Sequence, residues 1–318
     1  MKQRLETFDI ARALCIVLVV IGHYNPDNAP MWWKDVNHFI YSFHMPVFLF
    51  ISGFIYAITL KRGNYTAFIW KKVKRLLVPY LSASLIVVSI KLLTQGCAYV
   101  EHPVSVGTYL EIFYLPAAGY YLWFVWALFI MFSVTHISQS KLAHIGLLGI
   151  SIVAQFVPFE LPDAFCLRQF QEMWVYFMLG VILADRKLPE VFDSKWFWVV
   201  SITLYTVVYI TLGTDGKWQH FTVATFGIGM TISISSMLKG FNWIKQKILF
   251  PIAVASFTIY LYHTTFSGFA KATLAKAPLS DSTFILEAIF VIACGVIFPM
   301  VIHKLLKKSK KFKWTIGL

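Results

Sequence analysis

The sequence predicts an all-α polytopic membrane protein, a bundle of ten transmembrane helices with both termini in the cytoplasm. Three observations carry this. Of 318 residues, 58% are hydrophobic and only 14% charged, with a mean hydropathy of +0.68; a water-facing globule of this size needs roughly twice that charged fraction. Apolar runs of about 17–25 residues, long enough to cross a bilayer, recur along the whole chain. Basic residues, finally, gather on alternate connections. A soluble enzyme is thereby excluded. The net charge of +13 reads as an orientation signal rather than a nucleic-acid footprint, because the basic residues form no basic domain.

The runs lie at 9–26, 39–60, 77–94, 120–138, 142–158, 169–185, 196–213, 219–238, 249–269 and 283–303, all within one domain covering 1–318. One set of connections holds Lys2, Arg4, Lys61, Arg62, Lys71, Lys72, Lys74, Arg75, Lys141, Arg186, Lys187, Lys195, Lys239, Lys245 and Lys247. It ends in a tail from Lys304 to Lys313 suited to anionic headgroups. The other set holds Lys34, Arg168, Lys217, Lys271 and Lys276, with Lys91 near a helix end. This bias of about four to one puts the first set in the cytoplasm. The first run has a basic start but no small-x-small cleavage site after it, so it reads as an uncleaved first helix. Gln95–Gly119 is the longest mixed connection and suits the membrane interface through Val106–Pro116. Cys15 and Cys294 fall in spans, whereas Cys97 and Cys166 fall in external connections, unpaired or joined if the outside is oxidising. No spacing suggests a structural metal site, and none is expected.

Polar residues inside a membrane are costly and point to function. Arg12 and His23 are eleven residues apart in the first run, about 16 Å and close to three helical turns, so both lie on nearly one face. One face can then serve an elongated ligand, with Arg12 at the cytoplasmic end and His23 at the external end. Asp9 is about 21 Å from His23 along the axis and is better placed to pair with Arg12 at i, i+3. In the second run, Phe43-His44-Met45-Pro46 sets His44 about a turn and a half below the external surface, beside an expected proline kink. Ser52-Gly53 permits either close helix packing or ligand passage.

The short loop carrying Lys71, Lys72, Lys74 and Arg75 is more basic than orientation requires, which suits a phosphate-rich ligand or lipid headgroups equally. Tyr120-Tyr121-Leu122-Trp123 opens the fourth run as an aromatic belt or a sugar-stacking lip, with Trp123 the preferred stacking ring. Tyr260 and His263 lie in the ninth run, His263 some two thirds of the way outward. A histidine base works best beside an orienting carboxylate. Glu172 is the favoured partner for His23, ahead of Glu287, Glu111 and Glu160, although Arg168 one turn earlier could neutralise it.

Taken in order, these elements resemble the membrane-bound acyltransferase family 3, within it the fucose 4-O-acetylase-like branch. The resemblance spans nearly the whole chain. It rests on Arg12-x10-His23, Phe43-His44-Met45-Pro46 with Ser52-Gly53, Arg75-Leu76-Leu77-Val78-Pro79-Tyr80, Leu122-Trp123-Phe124 and Ile259-Tyr260-Leu261-Tyr262-His263.

The resemblance implies a multi-pass enzyme of the bacterial inner membrane that moves an acyl group, by default acetyl, from cytoplasmic acyl-CoA to a sugar hydroxyl. The acceptor would be a cell-surface glycan or its lipid-linked precursor. Acetyl-CoA would be a co-substrate, with no permanently bound cofactor. The implied partners are membrane lipids, acyl-CoA and the saccharide acceptor, not nucleic acid, with self-association left open. In this reading Arg12, Lys72, Lys74 and Arg75 hold the CoA phosphates. His23 acts as general base or acyl-accepting nucleophile. His44, Ser52, Trp123, Tyr260 and His263 line the channel or acceptor site. The appended hydrolase-like domain of some members has no counterpart here. A transporter or flippase for a polar or lipid-linked substrate is the alternative, although no inverted repeat is visible. A non-catalytic scaffold would leave the aligned Arg12 and His23 without a purpose.

Overall fold

The computed structural model describes residues 5–27, 29–60, 63–96, 100, 102–185, 188–274 and 283–318. Among the described residues all regular structure is helical. In chain order the helices are α1 Glu6–Gly22, α2 Met31–Tyr41, α3 His44–Thr59, α4 Tyr65–Lys72, α5 Val78–Thr94, α6 Thr108–Glu111, α7 Trp123–Thr135 and α8 Lys141–Phe156. They continue with α9 Leu167–Ile182, α10 Leu188–Phe192, α11 Lys195–Leu212, α12 Lys217–Lys239, α13 Asn242–Ile244, α14 Phe250–Leu274 and α15 Phe284–Lys308. Each of the ten apolar runs contains most of one helix of 13 residues or more, the second run also taking in the end of α2. Six helical stretches among the described residues are long and apolar enough to cross a membrane: Met31–Thr59, Tyr65–Thr94, Lys195–Leu212, Lys217–Lys239, Asn242–Leu274 and Phe284–Lys308.

Two sequence expectations change at helix boundaries. The basic loop before the third run is helix: α4 runs through a π turn, Val73–Leu77, into α5, and Lys71, Lys72, Lys74 and Arg75 all lie on it. A second π turn, Lys245–Leu249, joins α13 to α14. Each ends two residues before a proline, Pro79 or Pro251. A proline lacks the N–H that an α-helix would give to the carbonyl four residues back and crowds that carbonyl, and a widened turn relieves both. Pro46, expected to kink a continuous second span, instead lies in the first turn of α3, which begins afresh at His44 after a break at Ser42-Phe43. In a first turn the missing N–H costs nothing, so no kink forms.

The chain divides into two compact units. The first comprises residues 1–61, 138–158 and 172–256. Its centre is α1, which packs against α2, α3, α12 and the second π turn. Phe8, Ile10, Ala11, Ala13, Cys15, Ile16, Val19 and Val20 are all buried, so apolar residues face neighbours on every side, as an interior helix requires. Lys245 from the π turn fixes the start of α1 through a 3.0 Å ion pair to Glu6. By contrast α11 buries little beyond Ser201 and Tyr205 and turns Trp196, Val199, Leu204, Val207 and Ile210 outward, a composition suited to lipid.

Close approach of α3 and α9 depends on two glycines. A Cβ on Gly53 would stand 2.0 Å from the Phe177 carbonyl oxygen, and one on Gly180 would stand 2.1 Å from that of Phe50. Small residues at such crossings let backbones meet where the apolar bilayer gives side chains little reason to associate. Of the two readings of Ser52-Gly53, Gly53 therefore serves packing, while the Ser52 hydroxyl donates back to the Phe48 carbonyl at 2.8 Å.

Outside the apolar core, Asp193 receives hydrogen bonds from Ser236 and Lys239. Partial burial pushes its pKa up, but these two bonds and the lysine charge outweigh that and hold the carboxyl below its ordinary value. A depressed carboxyl stabilises the fold above its unfolded pKa, and the contribution disappears as pH falls through the folded value. Asp193→Asn is therefore expected to lower Tm slightly at neutral pH and not in acid, which thermal unfolding at the two pH values checks; the partners are exposed, so the effect is small.

The second unit comprises residues 62–137, 159–171 and 257–318. Buried Tyr80 on α5 donates to the carbonyls of Ile112 and Leu115 at 2.9 and 2.8 Å, which holds the segment after α6 against the helix. The expected interfacial stretch keeps Val106, Leu110 and Phe113 exposed, in line with that reading. A short 3-10 turn, Lys313–Ile316, buries Thr315 and Ile316 and packs on α5, α15 and the first π turn. Gly317 then takes φ +78, which brings it over the Arg75 carbonyl where a Cβ would meet the oxygen at 2.8 Å. Cys166 is buried, whereas Cys97, its expected counterpart, lies outside the described residues.

Candidate active site

Helix α1 is unbroken from Glu6 to Gly22, and His23 is its C-cap rather than an interior residue. Arg12, nearly two turns into α1, and His23, just past its last residue, are therefore eleven residues apart along one helix and on nearly one face, as their spacing predicts. Arg12 donates to Asp9 at 2.5 Å, the expected i, i+3 pair, and its side chain is 34% exposed. The guanidinium Nε is buried and has no partner among the described residues. One edge of the fork is thus held by Asp9 while donor capacity remains for an anion.

At the other end, helix α2 secures the last carbonyls of α1, which have no partner within their own helix. Trp33 Nε1 donates to the Tyr24 carbonyl at 2.7 Å, and the Tyr41 hydroxyl donates to that of Gly22 at 3.3 Å. Tyr41 also stands edge-on between two histidines, 6.4 Å from the His23 ring and 5.1 Å from that of His44. His44 is buried, and its Nδ1 bonds the Ile40 carbonyl at 2.7 Å, which orients the ring. It sits at the first residue of α3, not a turn and a half into a longer helix. His220, at the start of α12, lies within electrostatic reach of His44 and His38. His38 Nε2 is 2.5 Å from the Thr214 hydroxyl. His23 is half-buried, so this cluster has an open side.

Tyr41, His38 and His220 were not among the residues singled out from sequence. The available signal was position: a histidine near the end of an apolar run, at the level expected for His23 and His44. Glu172 is half-buried on α9 in the same unit. Arg168, expected to neutralise it, forms ion pairs with Glu160 at 3.0 Å and Asp163 at 3.2 Å.

The remaining expected residues belong to the second unit. Lys72 Nζ lies 3.2 Å from the Phe132 ring centroid and 5.2 Å from that of Phe68, so aromatic faces hold this ammonium. Lys74 and Arg75 are exposed, with Lys74 Nζ 5.4 Å from the Trp70 ring. Trp123 is half-buried beside Phe124. Tyr120 is exposed, but Tyr121 is buried and donates to the Leu261 carbonyl at 2.9 Å, so the expected tyrosine lip is one ring wide. The Tyr260 hydroxyl in turn donates to the Tyr121 carbonyl. His263 is fully buried, 4.9 Å from the Tyr121 ring, with Nδ1 bonded to the carbonyls of Ile259 and Tyr260. These bonds tie α14 to the start of α7.

Comparison with known proteins agrees with the geometry. A family model described as an acyltransferase domain, acyltransferase family 3, matches residues 5–304. Among curated proteins the chain is similar to the nodulation protein NolL of Sinorhizobium fredii, 30% identical over 188 residues, covering 56% of this chain and 48% of that protein. The nodulation protein NolL of Mesorhizobium japonicum is 26% identical over 217 residues, covering 62% and 53%. The chain thus spans about half the length of the curated relatives it matches. No solved structure matches. A match over nearly the whole chain, through both the Arg12-to-His23 helix and the long apolar helices, identifies a multi-pass membrane protein that belongs to the acyltransferase family 3.

Proposed function

We propose that the chain is a membrane O-acetyltransferase that carries an acetyl group from cytoplasmic acetyl-CoA to a hydroxyl of a cell-surface glycan or its lipid-linked precursor. It crosses the bacterial inner membrane ten times with both termini in the cytoplasm. The observation that carries the reading is the two-ended α1: a guanidinium with unused donor capacity at one end, and a half-buried imidazole amid a histidine and tyrosine cluster at the other. Arg12 anchors a CoA phosphate by charge-assisted bonds, and the pantetheine arm spans the roughly 16 Å to His23.

His23 takes the proton of the acceptor hydroxyl as its oxygen attacks the thioester carbonyl. The C–S bond breaks, and CoA leaves as the thiolate, which regains a proton. The C-terminal end of a helix favours positive charge, so the transient imidazolium forms where α1 stabilises it. Glu172 is the proposed carboxylate partner. His44 and Ser52 are proposed to shape the acceptor path in the first unit. Direct transfer is preferred over an acyl-imidazole intermediate because an external sugar can reach His23 itself.

The test is acetyl-CoA turnover by protein in nanodiscs, with a panel of surface glycans and lipid-linked sugars. Acceptor-dependent CoA release is the expected result; no binding of acetyl-CoA at all would refute the reading. Arg12→Gln is expected to weaken acetyl-CoA binding about tenfold to a hundredfold, the worth of a charge-assisted bond, without raising the acceptor KM.

A further inference from the structure

One buried group in the first unit has no role in the packing described so far. Asn37 is only 5% exposed, and neither its carboxamide oxygen nor its carboxamide nitrogen has a hydrogen-bond partner among the described residues. An amide left so is unusual, because it loses its bonds to water and receives nothing in return.

Its position indicates what could satisfy it. Trp33, Asn37 and Tyr41 recur every fourth residue on α2 and therefore form one stripe. Trp33 bonds the Tyr24 carbonyl and Tyr41 bonds that of Gly22, so the two outer members of the stripe straddle His23. Asn37, midway between them, lies on the side of α2 that faces the end of α1.

We propose that Asn37 binds the hydroxyl-bearing acceptor beside His23, as a recognition residue for a sugar diol. The chemistry of the group selects this ligand. A carboxamide offers both a donor and an acceptor, and both stand empty, so the complementary ligand must supply one of each. Neighbouring sugar hydroxyls do so. A thioester carbonyl only accepts, and would leave the Asn37 oxygen still unsatisfied. The pantetheine amides carry a donor and an acceptor as a sugar diol does, so the acetyl-CoA Kd measured below is what separates the acceptor from the acyl donor as the ligand of Asn37. This deepens the acetyl-transfer reading and rests on it for the identity of the reaction, but not for the binding of the sugar.

The test measures binding without turnover. Methyl α-L-fucoside, methyl β-D-glucoside and methyl α-D-mannoside are titrated into wild type, Asn37→Leu and Asn37→Asp in nanodiscs by saturation-transfer NMR, alongside their fully O-methylated counterparts. At least one glycoside is expected to bind wild type, about tenfold more weakly to Asn37→Leu and with an intermediate loss in Asn37→Asp, which keeps the acceptor but not the donor. O-methylation should abolish binding, and the acetyl-CoA Kd should not change. Asn37→Leu should unfold at the same or a higher temperature, since it removes an unpaired buried amide. Glycoside binding unchanged in Asn37→Leu, a lowered Tm in that variant, weakened acetyl-CoA binding instead, or no glycoside binding by wild type would each overturn the proposal. If wild type fails to bind acetyl-CoA while glycoside binding still depends on Asn37, acetyl transfer is what fails and the sugar site stands.

Discussion

In His23→Ala, acceptor-dependent release of CoA falls about 10²–10⁴-fold, the usual worth of a positioned general base, while acetyl-CoA still binds. The separation of the two effects follows from the length of α1. Arg12 and Asp9 form their pair in the N-terminal half of α1, three turns from the imidazole, so removal of the ring does not disturb the anchor. Nor does it disturb the end of the helix, because the Gly22 and Tyr24 carbonyls are held by Tyr41 and Trp33 rather than by His23. Stopped assays of CoA release and equilibrium binding of acetyl-CoA, run on the same nanodisc sample, check both halves. Turnover within a factor of about three of wild type would remove His23 from the chemistry. An acetylated His23 trapped in the absence of acceptor would replace direct transfer by a two-step route through the imidazole.

The second large effect is on folding. Gly53→Val is expected to cost about 3 kcal/mol or more, at the upper end of overpacking effects, and to lower the yield of folded protein in detergent. The obstacle to a side chain here is the Phe177 carbonyl, part of the α9 backbone, and not a flexible side chain that could turn aside. Gly180→Val meets the Phe50 carbonyl in the same way, from the opposite helix. Since both substitutions separate the same pair of helices, the double variant should lose less than the sum of the two. Thermal unfolding of the two single variants and the double one measures this. A Tm for Gly53→Val within a degree or two of wild type would show that the crossing is looser than the backbone distances imply.

The long apolar runs were legible because lipid imposes a simple composition over a fixed length, and each of them is a helix. The Asp9–Arg12 pair and the common face of Arg12 and His23 were legible because both depend only on spacing within one regular helix. What failed to show in the sequence depends on where helices break and which neighbours they meet. Nothing local announces that α3 restarts at His44, so Pro46 read as a kink when it occupies a tolerated first-turn position. Gly53 read as packing or passage, and its partner Gly180 did not show, since a close approach belongs to two helices at once. That the Lys72 ammonium rests on aromatic faces did not show, because Phe132, sixty residues later, cannot be seen from its surroundings in the chain. Helix α2 was overlooked as a separate element because it is short and mixed in composition. It nevertheless supplies Trp33, Asn37 and Tyr41 to the end of α1.

The π turns at Val73–Leu77 and Lys245–Leu249 bear on how this chain can be compared and edited. A π turn is an α turn with one residue added, and that residue is absorbed locally instead of being passed along the helix. The long segments Tyr65–Thr94 and Asn242–Leu274 are thus each two helical phases joined by a single-residue insertion at the basic end. A heptad or helical-wheel projection drawn through either one misplaces every residue beyond the join by about 100°, the rotation of one residue. Any alignment of this chain with a shorter relative should accept a one-position gap at these two places before it shifts the register of Tyr80 or Tyr260.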